Sequence, residues 1–546
     1  MTISHEAMSR LRSHWAIEAL GADRVKAAHD SAASMYVDSN LGRQLHREGT
    51  HDAATEALIQ DVAFAYEIVA SEGIDVLAQV SLHSGTSDDA VAEAAAHEAF
   101  ALLRALPLKL DSLEALVHQV LQLGALAYCS DRWAEYRAWM REREVNPELF
   151  QSDGSWDTRV LSALGQIWTR LLRKDGWRDL EGVVEMVARL RAEQRHNEEL
   201  LFSAQSRPEE LQAAGWRLVA LYHWARLSEM VATYLMQGEP ADIATQLDFH
   251  FDRAISAAQQ SADPAFVVVL QWQRAMAQRM VAGALWSVTR IGPEIRSIVE
   301  TATRHRSMFE MLPPQRIAIQ EQGLLDPASA AVVVDLPTSA GKTILAEFKI
   351  VQAISQFKQD KGWVAYVAPT RALVSQITRR LRRDLGPSGV RVEELTSAVE
   401  IDEIEAGMLN ESPFDVLVAT PEKLHLAIRN AAIDRPLALL VLDEAHNIED
   451  SDRGIRIELL LATVKRDCTQ ANFLLLMPYV PNGDDLARWL APRTGKSISL
   501  ATTPWQPNDR LIGLVSAVAP ASGRGRDWRL SFEPMLTSGS SMNVSG

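Results

Sequence analysis

Cysteine is nearly absent from this chain of 546 residues, which contains only Cys129 and Cys468. Two cysteines so far apart in the sequence, both in apolar surroundings, exclude a disulfide framework and a zinc cluster built on cysteine. We therefore expect two reduced thiols in the interior of a cytoplasmic protein.

Long hydrophobic runs are missing as well. No stretch reaches the roughly 18 consecutive apolar residues that indicate a membrane-spanning helix. The first residues, MTISHEAMSRLRSHW, do not combine a basic segment with a following apolar core, so they do not predict a signal peptide. We expect no membrane partner.

Positive charge is in deficit, because the formal net charge is −16 at pH 7. Such a balance argues against a protein that coats nucleic acid by bulk electrostatic attraction, although it leaves room for a local basic groove. The hydrophobic content of 47% and the charged content of 23% are ordinary for a globular protein. The length is sufficient for several domains with sizeable cores.

Residues 1–300 have the periodicity of one helix after another. Segments such as LEALVHQVLQLGALAYC and GWRLVALYHWARLSEMVATYLMQG place apolar residues three or four positions apart, with polar residues between them. We predict an all-α module here. Its helix pairs would suit a solenoid, but no repeat signature aligns, and the pattern does not indicate what the module contacts.

From about residue 301 short, continuous apolar runs alternate with helical stretches. Continuous rather than alternating runs indicate strands that are buried on both faces, and therefore a mostly parallel sheet between helices. Ligands of such sheets bind at the carboxyl ends of the strands, where each of these runs meets polar residues. The runs are AAVVVDLP, GWVAYVAPT, FDVLVATP, LALLVLDEAH and ANFLLLMP.

The segment DLPTSAGKT has the features of a phosphate-binding loop. A predicted strand ends at Leu336 and a helix begins near Lys342, so successive backbone N–H groups can face phosphate oxygens. In such a loop Lys342 reaches the β- and γ-phosphates and the Thr343 hydroxyl binds Mg²⁺, although Leu336 replaces the usual first glycine. The candidate nucleotide-binding residues here are Thr338, Ser339, Ala340, Gly341, Lys342 and Thr343.

A second candidate site follows the run LALLVL, which leads into Asp443 and Glu444. An aspartate at the end of a buried strand can hold the Mg²⁺ that bridges the phosphates, and the adjacent glutamate can orient or deprotonate a water molecule. The two segments together predict a nucleoside-triphosphatase site.

These motifs resemble the first RecA-like motor domain of superfamily 2 helicases of the DEAD/DEAH-box class. They are most similar to the branch of exosome-associated RNA helicases and archaeal repair helicases. The matching segments, in order, are MLPPQRIAIQEQGLL, LPTSAGKT, APTRALVSQ, VATPEKL and LDEAHNIEDSDRGIRIELLL. The resemblance covers residue 308 to about residue 508 and does not extend into the helical module.

The resemblance implies ATP and Mg²⁺ as cofactors and single-stranded DNA or RNA as a partner. It gives Gln315 a contact with adenine, and it makes the catalytic residues Lys342, Asp443, Glu444 and His446. It also implies that the strand backbone is held by Thr370, Arg371, Thr420 and Pro421. Those residue types suit phosphate contacts that do not depend on base sequence.

A cluster of arginines on the helix that follows APTRALVSQ leaves two interpretations open. Its members are Arg379, Arg380, Arg382 and Arg383. They would either extend the basic track for the strand or form a solvated helix face.

Two departures from the family pattern affect the expected activity. The family's Ser-Ala-Thr motif, which couples nucleotide state to strand movement, is replaced by Met477-Pro478-Tyr479. The change affects the usual contact to His446, so we expect the coupling to be either weakened or rebuilt through the Tyr479 hydroxyl. Residues 509–546 read as a connector or tail, too short for a second RecA-like domain of roughly 150 residues. Without the arginine finger of a second domain, we expect ATP binding with weak hydrolysis.

The sequence therefore predicts the N-terminal portion of an ATP-dependent helicase or translocase, with its second motor half or another protein partner acting in trans. A truncated product, a split helicase and a nucleotide-gated module that no longer moves all fit. The alternative function is a non-motor ATP-binding adaptor that contacts a partner protein through its helical half. The predicted domains are 1–300, 301–508 and 509–546.

Overall fold

The computed structural model describes residues 5–44, 52–79, 87–203, 207–289, 293–337, 340–395, 414–449, 454–478, 482–491, 496–501, 510–518 and 529–538. It contains two compact units. The helical unit is Met1–Ala282 together with Gln506–Gly546, and the sheet unit is Gly283–Trp505. The predicted domain limits 1–300, 301–508 and 509–546 remain a prediction.

The helical unit confirms the predicted succession of helices. Its α-helices are α1 His5–Arg12, α2 Trp15–Glu18, α3 Ala22–Gln44, α4 Ala53–Glu72, α5 Ile74–Ala78, α6 Ser87–Leu103, α7 Leu113–Cys129, α8 Trp133–Glu142, α9 Trp156–Arg173, α10 Trp177–Ser203, α11 Pro208–Gln237, α12 Ile243–Gln260 and α13 Pro264–Gly283. A 3₁₀ turn spans Pro147–Phe150.

Local chemistry fixes several of these helix starts. Ser112 precedes α7 and its hydroxyl accepts a hydrogen bond from the backbone N–H of Ala115, at 3.0 Å. Asp52 caps α4 in the same way. Such caps satisfy N–H groups that have no partner within the helix.

Helices that follow one another pack together, as α9 does on α10, α10 on α11 and α11 on α12. Trp168 and Trp224 are fully buried in this unit, and the Trp224 indole donates to Gln273 Oε1 at 2.8 Å. These tryptophans are core residues.

The sheet unit has strands and helices in alternation. Its helices are α14 Leu285–Val288, α15 Pro293–Arg306, α16 Pro313–Gln320, α17 Lys342–Gln356, α18 Arg371–Leu385, α19 Pro421–Arg429, α20 Gly454–Asp467 and α21 Gly483–Leu490. Its strands are β1 Ser329–Asp335, β2 Trp363–Val367, β3 Val392–Glu394, β4 Val416–Ala419, β5 Leu437–Leu442, β6 Asn472–Met477 and β7 Lys496–Ala501.

The seven strands form one sheet in the order β3-β4-β2-β5-β6-β1-β7. Every pair of neighbours is parallel, which confirms the predicted α/β RecA-like arrangement. All five predicted strand runs are strands of this sheet. Because the strands are parallel, their carboxyl ends lie at one edge, and the candidate site is there.

The sheet is buried on both faces, which explains the continuous apolar runs. In β1, Val332 and Val334 belong to the core beneath α14–α18, whereas Ala331 and Val333 belong to the core beneath α19–α21. Side chains of a strand alternate between faces, so a strand covered on both sides must be apolar at every position.

The C-terminal segment contains a strand pair that the sequence analysis did not predict. Two antiparallel strands, β8 Arg510–Val518 and β9 Arg529–Ser538, pair along their length, with Arg510 opposite Ser538. The segments RLIGLVSAV and RLSFEPMLTS contain apolar and β-branched residues that favour strands. Among the described helices of the whole chain, none is both long and apolar enough to cross a membrane.

Candidate nucleotide-binding site

The phosphate loop connects β1 to α17, as the sequence predicts. Gly341 precedes the helix with φ = 68°, a left-handed conformation that glycine adopts without strain. The backbone N–H of Ala340 donates to Pro337 O at 3.0 Å. Thr343 lies in the first turn of α17 and is half-buried. Thr338 and Ser339 lie outside the described residues.

Gln315 contacts this loop from α16. Its Nε2 donates to the carbonyl oxygens of Ala340 and Gly341, at 2.9 and 3.2 Å. Its Oε1 accepts from the backbone N–H of Leu312 at 3.0 Å, and the side chain is buried. Gln315 thus stabilises the loop through hydrogen bonds to its backbone carbonyls. Its contact with adenine stays a prediction.

Lys342 has a buried ammonium group that forms no direct hydrogen bond with a described residue. Burial lowers the pKa of its ammonium group, and the nearby carboxylates of Glu444, Asp443 and Asp335 act in the opposite direction. A buried ammonium group without a hydrogen-bond partner is costly, so this position favours an anionic ligand.

Asp443 is held in place by two hydrogen bonds. Its Oδ2 accepts from the Tyr366 hydroxyl at 2.9 Å, and its Oδ1 accepts from the backbone N–H of Glu444 at 2.9 Å. Burial raises the pKa of the Asp443 carboxyl, which the bond from Tyr366 opposes. Burial also raises the pKa of Tyr366, and Asp443 adds to that effect, so Tyr366 remains a hydroxyl donor.

Glu444 follows in a strained conformation, with φ = 51°. Its Oε2 lies 3.2 Å from His446 Nδ1, and Asn447 Nδ2 donates to its backbone carbonyl at 2.7 Å. A non-glycine residue in the left-handed region is uncommon, and such strain concentrates at functional sites. The glutamate side chain is about one-third exposed, as a residue that acts on water requires.

The altered Ser-Ala-Thr position lies between the two halves of the site. Strand β6 separates β1 from β5 in the sheet, and its last residue, Met477, is buried. The backbone N–H of Leu336, just before the phosphate loop, donates to Met477 O at 3.2 Å. His446 contacts Glu444, and the hypothesis of a rebuilt contact through Tyr479 lies outside the described residues.

The predicted strand-binding residues begin two helices at the same edge of the sheet. Thr370 caps α18, with its hydroxyl accepting from Leu373 N at 3.3 Å, and the next residue, Arg371, is exposed. Thr420 precedes α19, whose first residue is the buried Pro421. Strands β2 and β4 are neighbours, so the two helix starts are adjacent.

The arginine cluster of α18 is engaged mainly with carboxylates. Arg382 bonds to Glu393 at 2.7 Å, and Arg383 to Asp384 at 2.8 Å. Arg380 lies 3.6 Å from Asp384 and 3.7 Å from Glu347. Arg379 donates to a carbonyl of its own helix. These pairings favour a structural and solvated helix face over a basic track.

The arrangement fits Mg²⁺ and a nucleoside triphosphate. Mg²⁺ in such sites is usually held by one or two protein oxygens together with phosphates and water. The Thr343 hydroxyl and the Asp443 carboxylate are donors of this kind, and Lys342 supplies the positive charge. Gly341 adopts the left-handed conformation of the loop and leaves room for the buried Gln315 amide beside it.

An all-parallel sheet with a phosphate loop after one strand and an acidic pair after another defines a RecA-like α/β domain. A family model described as DEAD/DEAH box helicase matches residues 313–477, and this part of the chain is a DEAD/DEAH box helicase domain.

Several curated helicases are similar to this domain. The ATP-dependent DNA helicase Hel308 of Methanocella arvoryzae is 30% identical over 203 residues, which is 36% of this chain and 25% of that protein. The RQC trigger complex helicase SLH1 of Saccharomyces cerevisiae is 32% identical over 178 residues, 29% of this chain and 9% of that protein. The chain therefore spans a quarter or less of the length of these two relatives.

A solved structure of the yeast DEAD-box splicing factor Prp28 also aligns with this chain. It covers 37% of this chain and 48% of that one, with 20% identity and a TM-score of 0.32.

Proposed function

We propose that the sheet unit binds ATP with Mg²⁺ and forms one half of the motor of a nucleic-acid helicase or translocase. The observation that carries the proposal is the position of Lys342. Its buried Nζ has no hydrogen-bond partner among the described residues, and it lies close enough to Asp443 and Glu444 for their charges to affect its pKa. This proximity supports the proposal that the two segments form one phosphoryl-transfer site.

Each residue has a role that follows from its chemistry. Lys342 neutralises charge on the β- and γ-phosphates, and Thr343 and Asp443 would hold the metal ion. Bound there, Mg²⁺ supplies charge neutralisation at the phosphates. Glu444 accepts the proton of the attacking water, and its contact with His446 fixes the orientation of its carboxylate.

The strand is expected to bind across the starts of α18 and α19. Exposed Arg371 and the helix-start N–H groups beside Thr370 and Thr420 provide phosphate contacts that are blind to sequence. Hel308 is described as a DNA helicase, and we propose single-stranded DNA or RNA as the track here. Full turnover would require a second RecA-like domain that closes over the nucleotide, whether that domain belongs to the same chain or to another one.

One observation favours the alternative of a non-motor ATP-binding adaptor. Met477, a buried thioether, occupies the position between the phosphate loop and the acidic pair where the family has a hydroxyl. Without that hydroxyl, nucleotide state and strand movement are less directly connected. In the adaptor, ATP binding would regulate contact with a partner protein.

Steady-state ATPase with and without single-stranded DNA and RNA tests the proposal. We expect turnover that a strand stimulates, and its loss in Lys342→Ala and Glu444→Gln. The matched control is Glu449→Gln, the same change at an exposed position at the end of the short 3₁₀ helix that follows Glu444, which should retain activity. ATP binding that Lys342→Ala abolishes, with no turnover under any condition, would favour the adaptor. Absence of ATP binding would overturn both.

A further inference from the structure

The helical unit contains a large groove that the nucleotide site does not use. It lies between α4, α7, α9 and α13 and has a volume of about 780 Å³. Its walls are mainly apolar and include Ile68, Val117, Leu121, Leu164 and Trp272. This volume falls within the range of roughly 300–1,000 Å³ that is typical of ligand pockets.

Large apolar side chains at this groove remain in contact with solvent. Phe64 on α4 is 62% exposed, and Val268 on α13 is 52% exposed. Single exposed apolar residues are ordinary, but exposed residues that border an apolar groove indicate an interaction surface.

The groove carries acidic charge. Glu67, Glu72 and Glu114 line it, and no lysine or arginine is among the described residues that do so. His118 also lines it, and burial lowers the pKa of that imidazole, which favours its neutral form. The charge of the groove is therefore complementary to a basic partner.

Glu67 is the polar group of the groove that could pair with a cation of such a partner. Glu67 is half-buried and accepts a hydrogen bond from Gln122, and burial raises the pKa of its carboxyl to about 7. A cation beside Glu67 would compensate for this desolvation.

We propose that this groove is the docking site for an amphipathic helix of a partner protein, whose apolar face carries a lysine or arginine that pairs with Glu67. The described walls of the groove are helix surfaces, so no strand edge is available to pair with an extended peptide. A helix satisfies its own backbone hydrogen bonds and needs only an apolar groove with complementary charge. The proposal stands independently of ATP binding.

The test uses the full chain and two labelled model peptides of about four helical turns. One peptide has leucines along one face of the helix and lysines both at the edge of that face and at the remaining positions. The other peptide has glutamate in place of every lysine. We expect the leucine–lysine peptide to bind saturably, with fluorescence anisotropy as the readout, and the leucine–glutamate peptide not to bind. Glu67→Gln should weaken binding of the first peptide about fivefold, or about 1 kcal/mol.

A pair of matched variants separates docking from bulk attraction to a protein of net charge −16. Phe64→Asp adds a negative charge at the groove, and Phe249→Asp makes the same change at a residue that is 54% exposed on α12, outside the groove. If the basic peptide were bound only by its attraction to the protein's net negative charge, both variants would bind it more tightly. Docking in the groove predicts at least tenfold weaker binding for Phe64→Asp only.

Other outcomes would overturn the proposal. Equal affinities of Phe64→Asp and Phe249→Asp, or equal binding of the two peptides, would show that the groove does not recognise a basic amphipathic helix. Val268→Asp is a second variant at an exposed position on the opposite helix, and it should reproduce the effect of Phe64→Asp. Circular dichroism melting of each variant checks that the helical unit is folded.

Discussion

The Gln315 amide fills the space beside Gly341 in the phosphate loop. A Cβ atom added at Gly341 would lie 2.5 Å from Gln315 Nε2. Gln315 cannot move aside without losing its bonds to Ala340, Gly341 and Leu312. The loop therefore depends on glycine for its conformation and for the space that the buried amide occupies.

We predict that Gly341→Ala abolishes nucleotide binding. The left-handed conformation costs an L-residue about 1–2 kcal/mol, and displacement of Gln315 breaks the hydrogen bonds that hold the loop. Titration with a fluorescent ATP analogue measures the loss. Gly389→Ala is the control, because Gly389 also has a positive φ of 82° but has open space around its added Cβ. It should lower the stability of the fold and leave nucleotide affinity unchanged.

Tyr366 is a positioning residue that sequence reasoning missed. It lies within the apolar run of β2, and the only signal was a hydroxyl in an otherwise apolar strand. Its hydrogen bond joins β2 to the acidic residue that follows β5.

We predict that Tyr366→Phe weakens the Mg²⁺-dependent part of nucleotide binding about tenfold. A hydrogen bond to a charged group contributes about 1.5–3 kcal/mol, and without it only the bond from the Glu444 N–H holds the Asp443 carboxylate. Titration of Mg²⁺ at fixed nucleotide gives the measurement, and binding without Mg²⁺ should not change. Tyr136→Phe removes a comparable buried hydrogen bond in the helical unit. An equal effect of both variants on Mg²⁺ dependence would refute the positioning role.

At the scale of elements, strands covered on both faces were predictable and edge strands were not. The runs that became β1, β2, β4, β5 and β6 are continuously apolar. Strand β3 has only three residues, two of them glutamates, and β7 alternates as KSISLA. Both lie at sheet edges, where one neighbour is missing and the apolar requirement is relaxed.

The arginines of α18 illustrate why pairing could not be predicted. Asp384 lies on the same helix, but the partners Glu347 and Glu393 lie on other elements. Periodicity shows which face of a helix carries charge, but it does not show what lies opposite. Arg371 at the start of the helix differs, because it is exposed at the carboxyl edge of the sheet.

We predict that Arg371→Ala and Arg382→Ala differ in their effect on strand binding. Loss of one phosphate contact to a single strand lowers the slope of log K against log salt by about 0.7, and Arg371→Ala should show this change. Arg382→Ala should not, because Arg382 bonds to Val392 O and Glu393. Anisotropy of a labelled single strand at several salt concentrations measures both. A reduced slope for Arg382→Ala would restore the hypothesis of a basic track along α18.

At the scale of the whole molecule, the two units each have a core of their own, and the candidate sites are divided between them. The nucleotide site lies in the sheet unit and the apolar groove in the helical unit. Cys129 is buried in the helical unit, where burial raises its thiol pKa to about 12. Cys468 is partly buried in the sheet unit. Each unit thus contains one thiol reporter.

We predict two thermal unfolding transitions, of which Mg·ATP raises only one. A ligand at 100 times its dissociation constant stabilises the state that binds it by about 2.7 kcal/mol, and this applies to the sheet unit. The variant Cys468→Ala retains only Cys129, which is buried in the helical unit. The temperature at which Cys129 begins to react with a thiol reagent therefore identifies the transition in which the helical unit unfolds. A single transition, or equal shifts of both, would show that the units unfold together.

The strand order has a consequence for how the protein is made. Strand β1 pairs with β6 and β7, which are synthesised well over a hundred residues later, whereas β2, β4 and β5 can pair among themselves earlier. Contacts between distant segments form slowly, and unpaired strands are exposed to aggregation meanwhile. On the ribosome, the first strand of the sheet unit is therefore the last to find its neighbours. Strand β1, which leads into the phosphate loop, is therefore paired on both sides only after β7, near the end of the sheet unit, has been synthesised.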